Sequence, residues 1–251
     1  MKARFSSPAY DRPQNSAGRR EPVPGEFILG LLPAIGWEAF ATGVAEEVTE
    51  ADLAPLDADE IFVPEHYEPN YAYPLIAWLA PPAGSNGLLK RLMRTVSERN
   101  YFGVSVPLTD PDQIEQILFE TFRRLRRRYH LHTERVYLLG FGEEGTQALQ
   151  TMLSQPAWFA GAAAISSRCP ETPRLLARYN ELRGKRVLLG VGERDSAAVV
   201  SDALYMQQLL WSAGMHVTAL AGSAGRDADR SLLREVDRWI MQAIEQPELV
   251  C

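Results

Sequence analysis

The chain has 251 residues, of which 46% are apolar and 23% charged; this suits one domain with a sizeable core and excludes a chain disordered throughout. Its 26 basic and 32 acidic residues leave a formal charge of -6, so nothing draws it as a whole to nucleic acid or to an anionic membrane. Two cysteines, Cys169 and Cys251, make neither a disulfide framework nor a four-ligand zinc site, and a reducing cytoplasm is the simplest compartment.

Residues 1–25 combine Lys2, Arg4, Arg12, Arg19 and Arg20 with Pro8, Pro13, Pro22 and Pro24, and lack the apolar centre of a secretory signal. They are expected to form a flexible tail ahead of a single domain over 26–251. No stretch reaches the roughly 20 apolar residues of a membrane helix. Residues 43–60 carry Glu46, Glu47, Glu50, Asp52, Asp57, Asp59 and Glu60 without clear periodicity and read as an irregular lead-in.

Beyond it, short apolar runs alternate with helical patterns. Strands are expected at 61–63, 74–80, 101–107, 135–140, 161–166, 186–191 and 216–221, and helices at 86–99, 111–130, 143–154, 171–182, 197–213 and 227–245. That alternation is the pattern of an α/β domain, a mostly parallel sheet with helices on both faces. In the second helix Ile114, Ile117, Leu118, Phe122, Leu125 and Tyr129 repeat at threes and fours, giving one stripe toward the sheet. Arg123, Arg124, Arg126, Arg127 and Arg128 then read as a solvated face near the helix C-terminus, where the dipole favours cations. His130 and His132 are expected to end this helix.

The most informative segment is RVYLLGFGEEGTQALQTML, a strand that runs straight into a helix through Gly140, Phe141, Gly142, Glu143, Glu144 and Gly145. As GxGxxG it suggests a dinucleotide turn. Glu143 and Glu144 would then sit beside the phosphates, and the next strand ends in Ile165, Ser166 and Ser167 with no carboxylate for a ribose. The other reading is a nucleophile elbow, the sharp strand-to-helix turn that lifts a catalytic side chain above the sheet.

The block RRRYHLHTERVYLLGFGEEGTQALQ resembles the phospholipase/carboxylesterase and polyhydroxybutyrate-depolymerase-like esterase branch of the α/β-hydrolases, whose members carry ERVYLxGFSxGG there. The resemblance extends over HYEPNYAYPLIAWLA, LLKRLMRTVSERNYFGVSVP, VLLGVGERD and VDRWI, roughly residues 55–245. It implies the α/β-hydrolase fold and a Ser-Asp-His triad whose members can be checked one by one; no cofactor is expected, and no metal, since Arg226 would neutralise part of a carboxylate cluster of Glu143, Glu144 and Asp195. Gly142 stands at the nucleophile position, and glycine offers no oxygen to attack an ester. Asp195, in VLLGVGERD, stands at the acid position, where it could equally cap the helix beginning near Ala197. Arg226 stands at the base position, and a guanidinium cannot take a proton from a nucleophile. His66, His130, His132 and His216 all fall outside that loop. The family's HGxGG oxyanion loop is replaced by PPAGSNG, where Pro81 and Pro82 remove amide donors and Ala83, Gly84 and Ser85 keep some.

Three altered functional positions imply a catalytically silent hydrolase that binds a small molecule or a protein partner, with Phe141, Glu143 and Glu144 joining the loop residues around the site. Arg226 is expected to pair with Asp195, Glu143 or Glu144 and fill it. The alternative is a residual esterase or thioesterase acting on short esters through an unorthodox nucleophile or water, with Ser166, Ser167 and Cys169 nearest the place where such sites form. Nucleic acid and membrane are not expected partners, whereas a second copy is a candidate one, with Trp158, Phe159 and Trp211 as large apolar groups that either fill the core or form an interface.

Overall fold

The computed structural model describes residues 60–83, 87–171, 178–222 and 230–245. The tail over 1–25, most of the acidic lead-in, the loop residues Gly84 and Ser85, Arg226 and Cys251 lie outside the described residues. The chain runs β1 (Ile61–Phe62), β2 (Tyr73–Ala80), α1 (Leu88–Val96), β3 (Phe102–Pro107), α2 (Ile114–Arg128), β4 (Leu131–Phe141), α3 (Glu143–Ser154), β5 (Gly161–Ile165), α4 (Tyr179–Leu182), β6 (Arg186–Gly192), α5 (Ala197–Ser212), β7 (His216–Gly222) and α6 (Arg230–Glu245). One sheet holds all seven strands in the order β1-β3-β2-β4-β5-β6-β7. Only β1 is antiparallel to its neighbour.

The burial of β2 explains this architecture. All eight of its residues are buried, because an interior parallel strand has helices over both faces. Ile76, Trp78 and Ala80 point to one side, where they join Tyr137, Leu139, Ala163 and Leu188 under Leu89, Leu92 and Met93 of α1 and Leu233, Val236 and Trp239 of α6. Leu75, Ala77 and Leu79 point the other way and are equally buried, as are Leu138, Ala162, Ala164 and Leu189. Tyr101, fully buried just before β3, donates its phenol proton to Asp237 Oδ1 of α6 at 2.8 Å and so fixes that helix to the sheet.

Several elements differ from the sequence expectation in detail. β4 begins at Leu131 rather than near residue 135, since Tyr73 pairs with Leu131 while the polar His132 and Thr133 lie half-exposed and Glu134 exposed at the sheet's end. Extended backbone there needs no apolar side chains. α2 accordingly stops at Arg128, and His132 belongs to a strand rather than to a helix end. Proline and an Asp110 side chain that accepts from the Asp112 amide start a short 3-10 turn over Pro111–Gln113 ahead of α2. Arg123, Arg124 and Arg126 are half-buried rather than wholly solvated, with part of each guanidinium itself buried; Arg127 and Arg128 are exposed. Phe159 is core, at 6.3 Å from Phe122 by ring centroid, and Trp158 is half-buried against Phe119. Trp211 stands out in solvent. Among the described residues no helix is long and apolar enough to cross a membrane.

Burial, reinforced by the bond to Asp237, holds the Tyr101 phenol protonated well above the ordinary tyrosine range, and burial raises Tyr137 as well. In the unfolded chain these phenols ionise near pH 10, so above that pH the unfolded state binds fewer protons than the folded one and stability falls as pH rises. Urea midpoints measured from pH 8 upward are expected to drop beyond about pH 10. Tyr101→Phe is expected to cost about 1 kcal/mol near neutrality and to flatten that alkaline slope.

Candidate functional site

β4 ends at Phe141 and α3 begins at Glu143, so a single residue turns the chain from strand to helix. That residue, Gly142, takes φ 60 and ψ -120, a conformation open to glycine and strained for any other residue. Its amide donates to the Ile165 carbonyl of β5 at 2.8 Å, and its carbonyl accepts from the Thr146 amide at 3.1 Å. A Cβ on Gly142 would meet nothing within 4 Å, so the turn has room for a side chain that the sequence does not supply. Gly140 is bare for the opposite reason: a Cβ there would lie 2.3 Å from the Glu144 carbonyl oxygen, because α3 folds back directly over the end of β4.

The turn opens onto a cavity of about 1020 Å³ at the C-terminal ends of the strands. Its apolar surface comes from Trp78, Leu88, Leu92, Phe141, Val199 and Leu233. Arg91, Glu143, Glu144 and Arg168 bring charge to it, and Ser166 and Ser196 bring hydroxyls. Ser166 is unusual twice over. It holds φ 53, rare for a residue with a side chain, and its Oγ is buried without a hydrogen-bond partner, the residue being 3% exposed. Thr146 ties this strand end to the elbow, its Oγ1 accepting from the Arg168 amide at 2.9 Å and donating toward the Gly142 carbonyl at 3.2 Å. The Arg168 guanidinium pairs with Asp202 and holds that carboxyl below its usual range.

Of the expected site residues, Gly142, Phe141, Glu143 and Glu144 come together on the cavity. Asp195 is not among the residues lining it. Its Oδ2 accepts from the Gly192 amide at 2.7 Å, closing the turn after β6, and the cap of α5 is Ser196, whose Oγ accepts from the Val199 amide. The helix-cap expectation for Asp195 is therefore corrected by one residue. Ala83 is exposed beyond β2 and is not among the described residues that line the cavity, while Gly84, Ser85 and Arg226, with any pairing by Arg226, lie outside the described residues. None of the four histidines lines the cavity. His130 sits against the Pro69 carbonyl at 3.1 Å through Nδ1, and burial lowers the pKa of His132 in β4. Burial, with the nearby Asp202 carboxylate, pushes the Cys169 thiol up from its ordinary range. Sequence reasoning missed Arg91, Val199 and Leu233, because their approach to the site is set by how α1, α5 and α6 pack. Arg168 and Ser196, each just past a strand end, carried a signal in their position.

The two glycines make opposite demands, and substitution separates them. Gly142→Ala is expected to fold and to lose about 1–3 kcal/mol of stability to backbone strain. Gly140→Ala is expected to lose about 3 kcal/mol or more, because backbone must move to admit the methyl group. Thermal or urea unfolding of the two variants checks the order.

No family profile matches the chain, and no curated protein matches it by sequence. Solved structures do match it. It is similar to a thermostable esterase at 17% identity and TM-score 0.56, over 72% of this chain and 57% of that one, so it spans under two thirds of that protein's length. It is similar to SOBER1 of Arabidopsis thaliana at 16% identity and TM-score 0.55, over 69% of this chain and 100% of that one. A carboxylesterase from Bacillus cereus aligns at 14% identity and TM-score 0.58, over 78% of this chain and 100% of that one. With its seven-stranded sheet and its one-residue strand-to-helix turn, the chain has the α/β-hydrolase fold of these esterases.

Proposed function

We propose that this chain is an esterase-like scaffold without serine-hydrolase chemistry, and that it binds a small molecule or a protein partner at the cavity beside the elbow. The observation that carries this reading is Gly142 at φ 60 and ψ -120, at the place where an esterase of this fold holds its nucleophile. Acyl transfer requires an oxygen or sulfur held against a base. Here the elbow has neither atom, and no histidine reaches the cavity. Arg226, at the base position in sequence, stays protonated at any working pH. Asp195, at the acid position, spends one carboxylate oxygen on the turn that carries it.

Support for binding comes from what remains. The cavity of about 1020 Å³ is large enough for a small organic ligand. Its apolar wall at Trp78, Leu92 and Leu233 suits a hydrocarbon body, and Arg91 and Ser196 on the same cavity supply polar groups. A ligand of this chemistry is an apolar molecule with at least one neutral oxygen or nitrogen.

Turnover of short-chain nitrophenyl esters by the native protein, beside a Gly142→Ser/Arg226→His variant, tests the proposal together with fluorophosphonate labelling and intact mass. The native chain is expected to neither turn over ester nor take up phosphonate, and the double variant is expected to be labelled once. Native turnover abolished by a single adduct would overturn the reading in favour of a residual esterase, and the labelled peptide would name its nucleophile.

A further inference from the structure

β7 closes the sheet on one side, and two backbone hydrogen bonds fix its phase. The His216 amide donates to the Lys185 carbonyl at 2.8 Å, and the Glu193 amide donates to the Gly222 carbonyl at 3.0 Å. In a parallel ladder alternate residues bond to the same neighbour. His216, Thr218, Leu220 and Gly222 therefore face β6, while Val217, Ala219 and Ala221 aim their N–H and C=O groups outward. No described residue accepts or donates there, and Ala219 and Ala221 are exposed. Edge strands are ordinarily blunted by a lysine, a proline or another charge. HVTALAG carries none of these.

The neighbouring helix continues the same surface. α5 packs on β6 and β7, and in sixteen residues its only charged side chain is Asp202, already paired with Arg168. Val200, Leu204 and Trp211 are 37%, 58% and 73% exposed and fall within about 40° of one another around the helix. A chain with a formal charge of -6 repels its own copies over most of its surface. This strip carries no charged side chain that would add to that repulsion.

We infer that β7 pairs antiparallel with β7 of a second copy, about a twofold axis normal to the sheet and passing beside Ala219. Each Ala219 then exchanges both backbone bonds with its mate, and Val217 does so with Ala221 of the other copy, giving about six hydrogen bonds. The register is self-complementary: Thr218 faces Leu220, His216 faces Gly222, and no charged side chain meets itself. An axis normal to the sheet keeps the two α5 helices on one face, flanking the joint. A strand edge of about 23 Å flanked by a helix about 10 Å across covers roughly 350 Å² per copy, which places the pair among weak, concentration-dependent interfaces. A second copy is favoured over a foreign strand because twofold symmetry supplies the complementary edge with no other component.

The test uses the full chain in reductant, which removes any disulfide through Cys251. Sedimentation across a wide dilution series is expected to show a reversible passage from 28.0 kDa to twice that mass. Hydrogen exchange is expected to protect the amides of Val217, Ala219 and Ala221 only at high concentration, while Thr218 and Leu220 are protected throughout. Ala219→Pro removes one outward donor and no bond to β6, so it is expected to stay folded and monomeric. Leu204→Lys/Trp211→Lys leaves the strand untouched and is expected to weaken association at least tenfold, which keeps the test decisive if the proline variant misfolds. A mass of 28.0 kDa at every concentration overturns the inference. So does a dimer that survives both variants, or outward amides already protected at high dilution, which would mean that another part of the same chain covers the edge.

Discussion

The site depends on one backbone constraint, the passage from β4 into α3 through a single residue. For the helix to start immediately above the strand it leaves, the chain must turn at positive φ and the preceding strand must accept helix backbone against its last residues. Gly142 meets the first demand and Gly140 the second, where a Cβ would stand 2.3 Å from the Glu144 oxygen. Everything else around the cavity is referred to this turn. The Gly142 amide pins it to Ile165 of β5, and Thr146, one turn into α3, holds the segment after β5. The first residues of α3 therefore stand beside Ser166 because the elbow leaves them nowhere else to go.

The sheet makes so tight a turn affordable. Buried side chains on both faces of β2, β4 and β5 leave these strands no freedom to shift in register. The bond from Tyr101 to Asp237 adds a polar tie between the N-terminal end of β3 and α6, the helix that places Leu233 on the cavity. A wall residue thus takes its position from a contact made on a different element at the far end of the sheet. Such coupling is invisible along the sequence, since Tyr101 and Asp237 are 136 residues apart.

Periodicity and apolar runs located all seven strands, because central parallel strands carry continuous apolar sequence that few other segments imitate. Their limits were less legible where side chains at a strand end are polar, as at His132 and Glu134, since the backbone continues to pair without help from those side chains. At the site, the strand-turn-helix string gave Phe141, Gly142, Glu143 and Glu144 directly: these are contiguous and their geometry is local. Asp195 shows the limit of that approach. Its position after β6 was legible, but whether it or Ser196 caps α5 is decided by ψ angles that spacing cannot supply. Arg91, Val199 and Leu233 reach the cavity only through helix packing, a product of the whole core.

Ser166 bears on what the cavity is for. A residue at φ 53 carries strain of roughly 1 kcal/mol or more, and a buried hydroxyl without a partner costs about as much again. Glycine at this position would remove both costs, as glycine at 142 removes the strain of the elbow. The two positions face the same cavity and have opposite solutions: the one that would hold a nucleophile is relaxed, and the one that offers a hydrogen-bonding group remains strained and unsatisfied. Strain and buried polar groups without a partner persist where the surrounding structure over-determines a position. The distribution of strain between these two turns fits the proposed reading of the cavity as a place that holds a ligand.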